Sequence, residues 1–301
     1  MCAVSGRERD GEADDVGTLY VVATPIGNRE DITLRALRVL REVAIIAAED
    51  TRHTGGLLVP HGIHARYLSL HQHNERDRAE RILAHLAAGD DVALVSDAGT
   101  PAVADPGAAT VAAVAAAGYP VVPVPGPSAL AAAVSASGLV SGPFTFMGFA
   151  PPRQAVRRSA MAAVASLPHP LVWYEAPHRV GAWLADAFAV WGDRDLAVCR
   201  ELTKLHEEIT HTSVGEALRR VETTLPRGEY VLVVAGANND APAPADDAAL
   251  DATLRELFAV GMSAAAAAKE AARRTGRGRD ECYARAVELR AEARKEMRTT
   301  E

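Results

Sequence analysis

Only three cysteines occur in the 301 residues, Cys2, Cys199 and Cys282, and their separation suggests neither a disulfide framework nor a metal-binding spacing. A reducing, cytoplasmic setting is therefore expected. Aromatic residues make up only 5% of the chain, so the core must rely on Val, Leu, Ile and Ala. No uninterrupted apolar run reaches the ~18 residues needed to span a membrane. Met1 to Gly17 carries five acidic and two basic side chains and no apolar h-region. Neither a signal peptide nor an ordered element is expected there. Two nucleotide-binding signatures are also missing, G-x-G-x-x-G and G-x-x-x-x-G-K-[ST], which argues against NAD, FAD and ATP. A net charge of −7 argues against broad electrostatic binding to naked nucleic acid but leaves room for a local basic patch.

What the chain does contain is a regular alternation of short β-type runs and helical patterns. Leu19–Thr24, Ala44–Glu49, Arg66–Leu70, Val92–Ser96 and Val121–Val124 read as strands, with the clearest helices at Arg76–Ala88 and Ala108–Ala117. Such alternation implies right-handed crossovers and a mostly parallel sheet, here over 18–141. A second α/β series occupies 142–237. Its strand candidates are Phe144–Phe149, Leu171–Tyr174, Leu196–Arg200, Ile209–Ser213 and Tyr230–Ala235. Residues 238–250 have the Pro, Ala and Asp composition of a linker. Within 251–301, Ser263–Thr275 and Arg279–Arg298 read as two helices joined by Gly276-Arg277-Gly278, a helix-turn-helix-like unit.

The most informative segment is SDAGTPAVADPG, Ser96 to Gly107, which leaves the carboxyl end of a strand. Open α/β sheets place their ligand sites there, and ordinary connections of this kind need only ~2–6 residues. Asp105-Pro106 reads as the start of the following helix, with Asp as N-cap and Pro at the first helical position. Ala23-Thr24-Pro25-Ile26-Gly27-Asn28 and Pro123–Ala129 end two further strands in tight turns. Ser128 suits either a helix cap or a ligand contact. Three loops built for close backbone approach on one sheet edge imply a pocket lined by peptide groups and small residues. Polar clusters leave other strand ends: Glu49–His53, Ser69–Glu75, Tyr174–Arg179 and Cys199–Lys204. His71 and His73 alternate, but no carboxylate pattern completes a metal site, and none is expected.

Taken together these segments resemble the tetrapyrrole methylase superfamily, and within it the ribosomal RNA small subunit methyltransferase I family. The resemblance is carried by LYVVATPIGNREDITLRAL, EDTRHTGGLL, SLHQHNE, SDAGTPAVADPG, PVPGPSALAAAVSASGL, FTFMGFAPP, YEAPHR and CRELTKLHEE. It covers about Thr18 to Gly236 and, more loosely, the C-terminal helices. It implies a two-domain tetrapyrrole-methylase-like α/β fold: an N-terminal mostly parallel sheet domain, a C-terminal mixed α/β domain and a helical tail. It implies S-adenosylmethionine in the interdomain cleft, a homodimer, and methylation of a cytidine ribose 2′-hydroxyl in the decoding region of 16S rRNA within the 30S subunit. Carried over by motif, the cofactor contacts are Pro25, Ile26, Gly27, Asp97, Ala98, Gly99, Ala102, Ser128 and Ala129. Met147, Ala176, Pro177 and Leu202 complete them from the second domain. Asp97 suits either the cofactor's cationic end or a turn cap.

Candidates for a base are Glu49, His71, Glu175 and Lys204, the last only if burial lowers its pKa. Glu175 and Arg179 are expected beside the methyl-transfer centre. Arg52, Arg179 and Arg200 are candidates for phosphate or ribose contacts, as are Arg273, Arg274, Arg277 and Arg279 around the turn of the tail. Two other readings stay open. One is a methyltransferase acting on a small tetrapyrrole or similar metabolite; the other is a non-catalytic ribosome-associated module that keeps the cofactor fold.

Overall fold

The computed structural model describes residues 16–71, 74–237, 247–275, 277 and 281–290. His73, Arg279 and nearly all of the expected N-terminal tail lie outside the described residues, as do the Arg273 and Arg274 side chains. Of that expected tail Val16 and Gly17 are described, and the Gly17 N–H donates to the Leu86 carbonyl at 2.8 Å. Contacts divide the chain into two units, Met1–Gly236 and Ala237–Glu301.

In the first half of the larger unit, strands and helices alternate. They are β1 (Leu19–Val22), α1 (Leu34–Glu42), β2 (Ile45–Ala48), α2 (Thr51–Leu58), β3 (Tyr67–Ser69), α3 (Glu75–Ala87), β4 (Val92–Val95), α4 (Ala108–Ala116), β5 (Val121–Val124) and α5 (Ala129–Ala136). The strands pair in the order β3-β2-β4-β1-β5, all parallel. Every residue of β2 and β4 is buried, as expected of continuous apolar runs covered on both faces. One face packs on α1 and α2 through Val39, Leu40, Leu57 and Leu58. The other packs through Ile82, Leu86 and Val114 of α3 and α4. Because β4, β1 and β5 are neighbours, the three tight loops of the sequence leave adjacent strand ends side by side.

The second half of the unit contains β6 (Thr145–Phe149), α6 (Gln154–Ala163), β7 (Leu171–Glu175), α7 (Pro177–Trp191), β8 (Asp195–Arg200), β9 (Glu208–Ser213), α8 (Val214–Thr223) and β10 (Tyr230–Val234). The sheet order is β6-β7-β10-β8-β9, with only β6 and β7 parallel. One face carries α6, α7 and α8 over a core that includes all three tryptophans, Trp173, Trp183 and Trp191. The opposite face meets the first half: Ala133 of α5 and Ile26 cluster with Val172, Ala197, Val231 and Val233. The His211 ring adds a polar tie, Nε2 lying 2.8 Å from the Ser137 carbonyl oxygen. Helix α5 thus joins the two sheets, and the loops ending β1, β4 and β5 face the second sheet.

One local expectation fails with a clear cause. Asp105 does not cap α4; the N-cap is Gly107, at φ 126°. The N-terminal amides are met instead by Glu75 of α3, whose Oε1 accepts from Gly107 N–H at 3.2 Å and Thr110 N–H at 2.9 Å. A carboxylate at that position is favoured by both the free amides and the helix dipole. Glu75→Ala is expected to cost about 1–3 kcal/mol, as for a charged hydrogen-bond acceptor removed from buried donors, read by urea denaturation.

In the smaller unit, α9 (Asp247–Ala259) begins inside the stretch expected to be a linker, and α10 (Ala264–Thr275) follows. Leu250, Leu254 and Leu257 form a stripe at helical spacing, buried against Ala267, Ala268, Ala271, Cys282, Ala286 and Leu289. Residues 281–290 are helical. Arg277 is ion-paired with Asp247 and Glu281, so it ties helices of this unit together.

Candidate active site

The three loops are hydrogen-bonded to one another. Thr24 and Gly99 form an isolated antiparallel bridge, N–H to carbonyl in both directions at 2.8 and 3.0 Å. The Thr24 hydroxyl also donates to the Ser96 carbonyl at 3.1 Å. Thr100 Oγ1 donates to the Pro127 carbonyl at 3.2 Å, joining the β4 loop to the β5 loop. Gly99 sits at φ 82°, and a Cβ there would lie 3.4 Å from Ile26 Cγ2, so a side chain would crowd the wall. Ala102 and Ala104 also take positive φ, at 65° and 67°. Non-glycine residues held this way store strain and cluster at functional sites.

A cavity of about 460 Å³ opens between these loops and the second sheet, well inside the ~300–1,000 Å³ of small-molecule sites. Ile26, Ala98, Gly99, Ser128 and Ala129 line it from one side, and Ala176, Pro177 and Leu202 from the other. Eight of the sequence-derived cofactor residues therefore converge. Pro25, Gly27, Asp97 and Ala102 belong to the same loops without lining the cavity. Gly27 abuts the second half: a Cβ there would come within 2.4 Å of Lys204 Cγ and 3.2 Å of the Leu202 carbonyl oxygen. Met147 turns away and packs against the tryptophan core. Asp97 spans two loops, its Oδ1 accepting from the Asp50 N–H at 2.9 Å. Ser128 caps α5, as one of its two readings had it, and also lines the cavity.

Two lining groups were named in the sequence without being assigned to the site. Tyr174 faces Ser128 and the Leu130 backbone across the cleft, and burial pushes its hydroxyl pKa up. Its ring stacks edge-on with Phe146 at 4.9 Å and Phe149 at 5.5 Å. Asp105, freed from capping, also lines the cavity. Burial, then the charges of Glu49 and Asp97, push its carboxyl up to about 6 against a hydrogen bond from Ser96. Neither carries a periodicity signal; Asp105 was hidden behind the equally good reading as a cap.

Of the expected reactive groups, Glu175 lines the cavity with its carboxylate fully buried. Its Oε1 accepts from the Ala176 N–H at 2.9 Å, and the Arg179 guanidinium lies 3.2 Å away. Burial nevertheless raises its pKa over these opposing contacts. Arg179 also donates to the Ala150 carbonyl. Glu49 has its carboxyl pushed up by burial and by Asp97, while His71 opposes that shift; neither Glu49 nor His71 lines the cavity. The His71 ring nitrogen Nε2 lies 3.0 Å from Asn74 Nδ2.

Lys204 does not meet the condition for a base. Burial disfavours its charge, but hydrogen bonds to Glu201 at 2.8 Å and Glu229 at 3.0 Å prevail and raise its pKa. Cys199 lines the cavity, yet burial pushes its thiol up to about 11, which leaves no thiolate nucleophile at neutral pH. Arg52 is exposed at the first turn of α2. Arg200 is engaged, donating to Glu208 Oε2 at 3.2 and 2.9 Å on the α7–α8 side. Among the described residues no group of three or more His, Cys, Asp or Glu could hold a metal ion, and no helix is long and apolar enough to cross a membrane.

Residues 18–218 match the family model of Tetrapyrrole (Corrin/Porphyrin) Methylases, and residues 244–290 that of the RsmI C-terminal HTH domain. Among solved structures, the methyltransferase CobJ is similar with a TM-score of 0.57 at 20% identity, covering 73% of this chain and 95% of that one. Uroporphyrin-III C-methyl transferase from Thermus thermophilus, complexed with S-adenosyl homocysteine, gives 0.53 at 20% identity over 72% and 97%. At that identity the likeness is one of fold. Sequence relatives are much nearer. "Ribosomal RNA small subunit methyltransferase I" of Micromonospora olivasterospora is 47% identical, covering 82% of this chain and 79% of the relative. The protein of that name from Synechocystis sp. is 42% identical over 92% of this chain and 100% of the relative. With these matches spanning both units, the chain belongs to the ribosomal RNA small subunit methyltransferase I family of tetrapyrrole methylases.

Proposed function

We propose that the protein transfers a methyl group from S-adenosylmethionine to the 2′-hydroxyl of a cytidine ribose in the decoding region of 16S rRNA. It would act on the 30S subunit, as a cytoplasmic homodimer. The observation that carries the donor half is the cavity where three adjacent strand ends meet the second sheet. Its chemistry fits the donor. Ile26, Val103, Phe149 and Leu202 offer apolar walls for a purine, backbone groups lie close at Gly99, and the acidic lining as a whole suits a cationic donor. The acceptor half rests on relatives at 42–47% identity that bear the small-subunit rRNA name. The tetrapyrrole enzymes share only 17–24%.

When bound, S-adenosylmethionine supplies an already activated methyl group. What remains for the chain is alignment of the acceptor oxygen and removal of its proton. Alignment can contribute ~7–11 kcal/mol, against about 3–5 kcal/mol for a base working at ~10²–10⁴-fold. The zipped loops and the Glu175–Arg179 pair are therefore the larger part of the catalytic device. Incubating the protein with 30S subunits from cells lacking it, then locating modified nucleosides by mass spectrometry, tests the assignment. One 2′-O-methylated cytidine is expected; absence of transfer to 30S refutes it.

In the same proposal the smaller unit docks on rRNA, with Arg273, Arg274 and Arg279 as phosphate contacts and Arg52 reaching the RNA from the larger unit. Deleting 237–301 is expected to weaken 30S binding while leaving calorimetric affinity for S-adenosylmethionine within about twofold. Replacing any one of these arginines by alanine should also flatten the salt dependence of RNA binding.

A further inference from the structure

We propose that Asp105 receives the proton of the attacking hydroxyl and is thus the general base of the transfer, an inference that rests on the function proposed above. Three observations place it in that role. It lines the cavity. The capping duty its sequence position suggests is discharged by Glu75, which binds the Gly107 and Thr110 amides. Its approach is fixed by a strained backbone: Ala102 and Ala104 hold positive φ, and the Ala102 N–H donates across the turn to the Pro106 carbonyl at 3.3 Å. A fold that keeps two alanines in the left-handed region beside a carboxylate, and caps the helix from elsewhere, holds that carboxylate toward the cavity at a conformational cost.

The other candidates are committed or displaced. Glu175 is buried against Arg179 and the Ala176 amide. Lys204 and Glu229 neutralise each other. Glu49 and His71 do not line the cavity, and His178 stands exposed on its rim. The charged and titratable groups facing Asp105 are Glu49 from the end of β2, Asp97 from β4 and Tyr174 from β7. Glu175 and His178 share the opposite wall. Two carboxylates and burial make Asp105 a stronger base than an ordinary aspartate while leaving it ionised at neutral pH. In the step itself, the ribose oxygen bonds to the methyl carbon as the carbon–sulfur bond breaks, its electron pair remaining on sulfur. The hydroxyl proton passes to an Asp105 carboxylate oxygen.

Asp105→Asn tests this, with single-turnover transfer to 30S measured between about pH 5 and 8 and S-adenosylhomocysteine binding measured by calorimetry. The parent rate is expected to rise with pH through a midpoint near 6, and the variant to be slower by ~10²–10⁴-fold with that limb gone. Binding of S-adenosylhomocysteine should change by less than about threefold. A rate within tenfold of the parent overturns the inference, as does a parent profile with no acid limb. Weakened binding with an unchanged saturated rate also overturns it, by making Asp105 a cofactor ligand. If Asp105→Asn does not fold, Asp105→Glu serves: it must keep the acid limb, and loss of that limb counts against the inference. Failure of the underlying function would show in the parent, which would then transfer no methyl group at all.

Discussion

Arg179→Ala is expected to cost about 3 kcal/mol of stability and to slow methyl transfer by about 10²-fold. The first figure is the lower end of what removal of one partner of a buried ion pair costs, because the Arg179 side chain keeps 24% of its exposure whereas that of Glu175 has none. The second is what a misplacement of roughly 1 Å costs a reacting group, since Arg179 holds both Glu175 and the Ala150 carbonyl. The pH dependence has a definite sign. Burial already raises the Glu175 pKa against the pull of Arg179, so its folded state binds protons more readily than the unfolded chain. Its contribution is greatest below the unfolded value and is lost as pH rises through the folded one. Without Arg179 that loss deepens, and the variant should be least stable relative to the parent in mildly alkaline solution. Adding Glu175→Gln removes the stranded charge and should recover stability but not activity. Urea denaturation and single-turnover transfer of the two single variants and the double variant read both effects, and additive losses in stability would contradict the pairing.

Asp186→Ala should produce a loss of similar or larger size, about 3–5 kcal/mol, for a different reason and with the opposite pH signature. The Asp186 carboxylate is fully buried and accepts from Arg157 Nε at 2.8 Å, Arg158 Nε at 2.6 Å and Gln154 Nε2 at 3.0 Å. Arg157, itself 5% exposed in its side chain, passes the constraint on to the Pro151 and Pro152 carbonyls. Removing the carboxylate strands a buried guanidinium. Burial opposes ionisation of Asp186, but the hydrogen bonds from Arg158, Arg157 and Gln154 outweigh it and lower its pKa. Its stabilisation is therefore present above the unfolded carboxylate range and is lost as pH falls toward the folded value. The parent should lose stability in acid where Asp186→Ala does not. Asp186 lies away from the cavity, so the folded variant should bind S-adenosylhomocysteine like the parent; weakened binding by the folded fraction would contradict this division of labour.

Periodicity and strand-end chemistry were enough to locate most of the elements and the loop walls of the cavity. Continuous apolar runs such as Val92–Val95 could only be central parallel strands, and Gly99 and Pro127 marked loops that approach one another. What escaped is what depends on contacts distant in sequence. The carboxylate that caps α4 comes from Glu75, 32 residues before Gly107, so local capping rules assigned the task to Asp105. The pairing of Lys204 with Glu229 spans 25 residues and reversed the pKa shift on which its candidacy depended. Tyr174 reaches across to α5 from the other sheet, a contact with no local signature. Helix α9 was legible in Leu250, Leu254 and Leu257, but its first residues are Asp and Ala, and composition outweighed spacing there.

A crystal structure of the protein with S-adenosylhomocysteine tests most directly whether the cleft between the two sheets holds the methyl donor. The adenosyl group should lie against Ile26, Gly99, Ala129, Ala176 and Leu202, with its sulfur turned toward Asp105 and Glu175. A ligand bound outside this cavity, or no bound ligand at all, would contradict the assignment of the cleft.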